Sequence, residues 1–179
     1  MKEKVNLFWF RRDLRLEDNV GLSHALISDF PVIPIFIFDK NILDHLEDKS
    51  DRRVDFIHQA LQYLNLELRK YKTYIKTYYG DPLAIFKELE KEFEIHQIYC
   101  NRDYEPYAIK RDKSIYEYFK PKNIVFKAYK DQVIFDKNDI LKKDETPYTV
   151  YSYYAKEWKE KLKNQDLKPV ELHYNQFKN

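Results

Sequence analysis

Glycine is almost missing from this chain of 179 residues, in which only Gly21 and Gly80 occur. Phosphate loops that depend on clustered glycines are thereby excluded, both the Walker type and the dinucleotide fingerprint. Cysteine is scarcer still: Cys100 stands alone, which rules out an internal disulfide and any multi-cysteine metal site and makes a reducing, cytoplasmic compartment the expected one. No apolar stretch approaches the ~20 residues needed to cross a bilayer, and the opening MKEKVNLFWF has too short an apolar run and no small-residue cleavage site to be a signal peptide. A membrane partner is therefore not expected. Charge of one sign is also lacking. Lys plus Arg number 32 against 30 Asp plus Glu, and a net +2 gives no electrostatic reason for autonomous nucleic-acid binding. The five histidines show no ligand spacing, so no metal site is expected.

What the chain does have is 44% hydrophobic and 17% aromatic residues gathered in short runs, enough to offset ordering entropy despite 35% charged residues. Apolar runs alternate with segments of helical period. That alternation predicts an α/β fold, a Rossmann-like doubly wound five-stranded parallel sheet with helices on both faces. The strands are predicted at residues 5–10, 32–38, 74–79, 97–101 and 124–127. Pro34 is awkward in the second of these, because it cannot donate to a ladder. It predicts a bulge, or regular pairing that begins only after it. The clearest helix is 52–71, where Val54, Ile57, Leu61, Leu64 and Leu68 share one face. Asp18 and Asn19 are cap candidates for the first helix, ending near Ile27, and Gly80-Asp81-Pro82 predicts a turn into another helix with Asp81 as N-cap and Pro82 at its first position. A further helix is predicted over 105–119.

After Asp131 the pattern gives way to a polar stretch, read as a surface loop or short hairpin. A last helix follows, with Tyr148, Tyr151, Ala155, Trp158 and Leu162 on one stripe. Residues 163–179 turn polar and aperiodic, which marks 1–162 as the domain and 163–179 as the start of an interdomain linker. Trp9, in a buried strand, and Trp158, in the apolar stripe, are read as packing residues, and Cys100 as an inert buried thiol.

In open parallel sheets ligands bind beyond the carboxyl ends of the strands, where the strand order reverses. The first strand ends in Arg11-Arg12-Asp13, the second in Asp39, and the fourth in Asn101-Arg102-Asp103, with Glu105 opening the next helix. If the first and fourth strands are neighbours, as in a flavodoxin-like order, these groups converge on one crevice. Paired cations, carboxylates and an amide suit a planar, heteroatom-rich ligand better than a metal. Charged groups at strand ends are also commonly solvated or tied up in ion pairs.

Three ordered segments carry a resemblance. Residues 8–19, FWFRRDLRLEDN, resemble the opening signature of the DNA photolyase and cryptochrome family; NRDYEPY at 101–107 with Arg111-Asp112, and TPYTVY at 146–151, agree with it in the same order. The double arginine and the Glu-Pro-Tyr pattern resemble the class I pyrimidine-dimer photolyases most. The resemblance implies an N-terminal light-harvesting domain that holds an antenna chromophore. In such proteins a larger helical domain, absent from this stretch, holds FAD and repairs damaged DNA with blue light. It assigns no catalytic residue here and implies that this stretch alone is inactive in repair. Carried over by position, the antenna site would comprise Arg12, Asp39, Arg53, Asn101, Asp103, Glu105 and Arg111, of which Arg53 and Arg111 come from the resemblance alone. The implied antenna is methenyltetrahydrofolate, 8-hydroxy-5-deazaflavin or a flavin, or none is bound. The implied partners are the missing FAD domain and, through it, DNA, with the fragment itself a monomer. Two alternatives stand beside this: a cryptochrome light-receptor domain, and a stand-alone nucleotide-binding α/β protein akin to universal stress or electron-transfer flavoprotein domains.

Overall fold

The computed structural model describes residues 2–48 and 50–177. Five strands, β1 (Lys4–Phe10), β2 (Val32–Asp39), β3 (Lys76–Gly80), β4 (Glu94–Asn101) and β5 (Val125–Tyr129), form one all-parallel sheet in the order β3-β2-β1-β4-β5. β1 and β4 are neighbours, as the convergence of polar groups required. The order, however, is the Rossmann 3-2-1-4-5 rather than the flavodoxin-like 2-1-3-4-5. Strand side chains alternate between faces, and both faces are covered. Val5, Leu7 and Trp9 join the core beneath α4 (Pro82–Glu92) and α5 (Pro106–Phe119). Phe8 and Phe10 join the core beneath α1 (Val20–Leu26) and α3 (Arg52–Leu68). That double burial is why β1 and β2 read as nearly unbroken apolar runs.

Local chemistry fixes the helix starts. Asn19 caps α1 by accepting from the Leu22 N–H, Asp51 caps α3 through the Arg53 N–H, and Asp81 caps α4 through the Ala84 N–H with Pro82 at the first position. Pro34 sits in register with Phe8 of β1, while pairing of β2 with β3 begins at Ile35, one residue later. The proline thus precedes the stretch where β2 is paired on both edges.

Elsewhere the structure narrows the sequence reading or departs from it. A four-residue helix, α2 (Lys40–Leu43), follows β2 directly, capped by Asp39 accepting from the Asn41 N–H. Among the described residues the stretch after Asp131 contains no strand, so the hairpin option is discarded. Ion pairs Arg15–Asp131, Arg102–Asp136 and Lys130–Asp139 hold that loop. The last helix, α6 (Tyr151–Lys161), buries none of its residues: Tyr151 is 82% and Tyr153 64% exposed, and Trp158 rests edge-on against Phe135.

Residues 163–177, the expected start of a linker, fold back on the α1 side of the sheet. The Val170 N–H donates to Asp18, the Ser23 hydroxyl to the Glu171 carbonyl, and Phe177 enters the core beside Val32. Lys178 and Asn179, the end of that expected linker, lie outside the described residues.

Candidate functional site

The crevice between β1 and β4 is filled by its own side chains. Asn101, at the end of β4, donates through Nδ2 to Asp13 (2.5 Å) and to Asn19 (2.8 Å), and its Oδ1 accepts from the Gly21 N–H at 2.8 Å. All of these groups are buried. Gly21 is needed for this approach: a Cβ there would lie 2.6 Å from Asn101 Oδ1 and 3.0 Å from the Cys100 carbonyl oxygen. Asn101 therefore ties α1 to β4 with every polar atom of its side chain occupied, and it does not line the cavity described next.

That cavity, about 360 Å³, opens one strand over, above the carboxyl ends of β1 and β2. Its floor and walls are apolar: Trp9 and Phe10 from β1, Phe36 and Phe38 from β2, Ile42 and Leu43 from α2, Leu46 beyond it, and Val54 and Ile57 from the start of α3. The other six residues of the predicted set, Arg12, Asp39, Arg53, Asp103, Glu105 and Arg111, all border it. The volume lies in the range of small-molecule sites, and an apolar body with a few convergent polar groups is their usual composition.

The polar groups fall into two sets. At the mouth, Arg12 donates to Glu105 at 2.6 Å and lies 3.6 Å from Asp103, with the hydrogen bond to Glu105 raising the Arg12 pKa first, followed by the opposing effect of partial burial and the charge of Asp103. Arg53 pairs with Asp51 at 2.5 Å. Arg12, Glu105 and Arg53 are exposed, so such pairs exchange partners at little cost. Further in, buried Asp39 accepts from the hydroxyl of Tyr107 at 2.6 Å; Tyr107 itself is 37% exposed, and its pKa is pushed up to about 12, first by partial burial and then by that bond, so the phenol stays protonated. Arg111 lies 3.7 Å from Asp39 and 3.3 Å from Asp112, with 9% of its side chain exposed. Its Nη2 is buried without a hydrogen-bond partner, and a buried donor without a partner is costly unless something else accepts from it.

Beside it, Arg11 forms a two-bond pair with Asp112, both contacts 2.8 Å, and donates to the Asn101 carbonyl at 3.1 Å. Both guanidinium groups stack over the Trp9 ring, at 4.1 Å for Arg11 and 4.7 Å for Arg111. Sequence reasoning treated Trp9 as packing alone and passed over Tyr107, although Tyr107 stands inside the Glu-Pro-Tyr segment; its position one turn ahead of Arg111 on α5 was the available signal. Cys100 is buried, and burial pushes its thiol up to about 12, as expected of an inert residue.

Comparison with known proteins agrees with this architecture. Residues 6–172 match the DNA photolyase family model. A deoxyribodipyrimidine photo-lyase from Synechococcus is 32% identical over 152 residues, 85% of this chain and 31% of that protein. Cryptochrome-1 of Drosophila melanogaster is 30% identical over 74% of this chain and 25% of its own length. Among solved structures, an archaeal photolyase from Sulfolobus tokodaii, described with two FAD molecules and an implied novel light-harvesting cofactor, is 33% identical. It superposes with a TM-score of 0.72 over 86% of this chain and 34% of its own. A class III photolyase from Agrobacterium tumefaciens is 26% identical with a TM-score of 0.73, over 85% of this chain and 30% of its own. The chain spans about a third of the length of the photolyases it matches. These matches do not favour the stand-alone nucleotide-binding reading. On its sequence and its fold, the chain belongs to the DNA photolyase family and corresponds to the N-terminal α/β part of its members.

Proposed function

We propose that the cavity above β1 and β2 holds the antenna chromophore of a light-driven DNA-repair photolyase, and that the ring it takes is a flavin or deazaflavin carrying a phosphoester tail. The observation that carries this reading is Arg111, which borders a cavity with an apolar floor and whose buried Nη2 has no hydrogen-bond partner. A conjugated ring with carbonyl or ring-nitrogen acceptors covers the apolar floor and accepts from that nitrogen, which a purely apolar guest leaves unsatisfied. Arg12 and Arg53 at the mouth exchange their exposed carboxylate partners for phosphate oxygens. Asp39 and Tyr107 hold Arg111 in place from the other side. Asn101 supports the site by fixing α1 and β4 and does not touch the ligand. The bound ring supplies absorption in the near ultraviolet or blue and passes its excitation on; the chain's own residues bind it, orient it and exclude water.

In the whole protein that excitation serves a flavin in a helical domain, which splits pyrimidine dimers in DNA. The unburied aromatic face of α6 is where that domain docks, since Tyr151 and Tyr154, three residues apart and so on one face, are both exposed. The chain alone carries no repair activity. The test is titration of the purified protein with FMN, FAD and methenyltetrahydrofolate, followed by fluorescence anisotropy. FMN or FAD should bind, and Arg111→Ala should weaken binding at least tenfold, the ~1.4 kcal/mol of one lost hydrogen bond to a charged group. Binding of none of the three, or affinity indifferent to Arg111, would refute the assignment.

A further inference from the structure

An antenna is useful only while its excited state survives, and the walls of this cavity contain two side chains able to end it. Trp9 borders the cavity and is the most readily oxidised type of residue there. Trp9 is 1% exposed, and an indole this near an excited, oxidised flavin-type ring would give up one electron to it without touching it. The indole is then oxidised to a radical cation, the ring is reduced by the same electron, and the excitation is lost as heat when the electron returns. Tyr107 is the second candidate, because its phenol proton already lies in a 2.6 Å hydrogen bond to Asp39 and has somewhere to go when the ring loses an electron.

Arg11 and Arg111 both place their guanidinium carbons over the Trp9 ring, 4.1 and 4.7 Å from its centroid, and Arg111 also lies 5.7 Å over the ring of Tyr107 and 3.7 Å from Asp39. A cation over a neutral indole is attracted to the face of the ring. Once the indole has become a cation the same contact is a repulsion between like charges at close range, in surroundings from which water is excluded. The radical state is raised relative to the ground state, and electron loss is disfavoured. Neither cation is free to swing away, since Asp112 holds Arg11 through two bonds and also touches Arg111.

We propose that Arg11 and Arg111 protect the excited antenna by making Trp9 a poor electron donor, a role distinct from binding the ring. The inference rests on the antenna reading above. Its test is the fluorescence lifetime of FMN bound to the full 179-residue chain, measured on the bound fraction identified by its anisotropy, in the unaltered protein and in Arg111→Gln, Arg111→Lys, Arg111→Gln/Trp9→Phe and Arg111→Gln/Tyr107→Phe. Arg111→Gln should shorten the lifetime by about tenfold, the scale of removing one unit charge at this distance from a partly screened site. Arg111→Lys, which keeps the charge, should restore most of it, and Trp9→Phe in the Arg111→Gln background should restore it fully. A bound lifetime indifferent to Arg111→Gln would overturn the inference while leaving the antenna reading intact. Restoration by Tyr107→Phe in place of Trp9→Phe would overturn the assignment of Trp9 as the donor. Failure of the unaltered protein to bind FMN or any other ring would sink the antenna reading and this inference with it.

Discussion

The pair between Arg11 and Asp112 is the part of this site whose removal has the most calculable consequence. Arg11 leaves the end of β1 with only 6% of its side chain exposed, and Asp112, on α5, has 17%. Two 2.8 Å hydrogen bonds join them, and the other anchor of the guanidinium is the Asn101 carbonyl. Asp112→Asn keeps the shape of the partner, removes its charge and leaves a buried cation compensated by one carbonyl and the distant share of Asp13. Breaking a buried pair by neutralising one partner costs about 3–5 kcal/mol, because the remaining charge is not resolvated. The low end applies here, since Asn101 still accepts one bond. For a chain of this size about 3 kcal/mol corresponds to a fall in Tm of roughly 6–12 °C. Urea denaturation followed by circular dichroism should show the midpoint moving with an unchanged slope. The companion variant Arg11→Met/Asp112→Leu removes both charges and should recover most of the loss, as replacing a buried pair by apolar residues commonly does. A loss below about 1 kcal/mol for Asp112→Asn, the scale of an exposed pair, would show that water reaches the pair and that the charges around Trp9 are screened.

Gly21→Ala should cost about 1–3 kcal/mol, the range for an overpacked core, because its Cβ would meet Asn101 Oδ1 at 2.6 Å and a backbone carbonyl at 3.0 Å; thermal unfolding reads it, and an unchanged Tm would mean that α1 can shift off β4 freely. Stability should fall as the pH drops below about 6.5. Burial holds the pKa values of His24 and His96 below their ordinary value, with nearby Lys127 and, for His96, Lys4 adding to the effect. The folded state therefore takes up these protons at lower pH than the unfolded chain, and stability rises with pH through that window. His24→Asn/His96→Asn should flatten the dependence of the denaturation midpoint on pH between 5 and 7; an unchanged slope would assign the effect to other groups.

The parts of the fold legible in the sequence are those where one residue type has one physical use. Asp81-Pro82 can start a helix and do little else there, and the run IPIFIF in β2 fits only a strand covered on both faces. α2 was invisible because four residues cannot display a 3.6-residue period. The stripe on α6 was visible but ambiguous: periodicity records that a face is apolar and says nothing of what covers it, and nothing among the described residues buries it. The return of residues 163–177 escaped notice for the opposite reason, because the stretch is polar apart from anchors such as Tyr174, stacked on Tyr71, and Phe177, and a few anchors suffice to dock an irregular strand of chain. Asn101 shows the limit for the site itself. A polar residue at the end of a strand is placed correctly by topology, but whether its amide faces a ligand or its own neighbours is decided by Asp13, Asn19 and Gly21, residues 80 or more positions away.

That choice by Asn101 also explains where the cavity lies. A doubly wound sheet opens a crevice where its crossovers diverge, here between β1 and β4. Asn101, Asp13 and Asn19 close it with buried hydrogen bonds, so no ligand can enter there without breaking a satisfied network, which costs more than breaking exposed pairs. The adjacent space over β1 and β2 stays open because β2 runs directly into the short α2 and a loop before α3, leaving no long helix start to cover the strand ends. The same arrangement brings Arg11, Arg111, Asp39 and Asp112 together beneath the opening, with their charges balanced and two donors, Arg11 Nε and Arg111 Nη2, left without a hydrogen-bond partner. A site built for a highly charged ligand would expose its cations. In this one the buried arginines are committed to Trp9 and to carboxylates while the exposed ones, Arg12 and Arg53, stand at the mouth, an order that suits the proposed ligand, an uncharged, conjugated ring inside with an anionic tail outside.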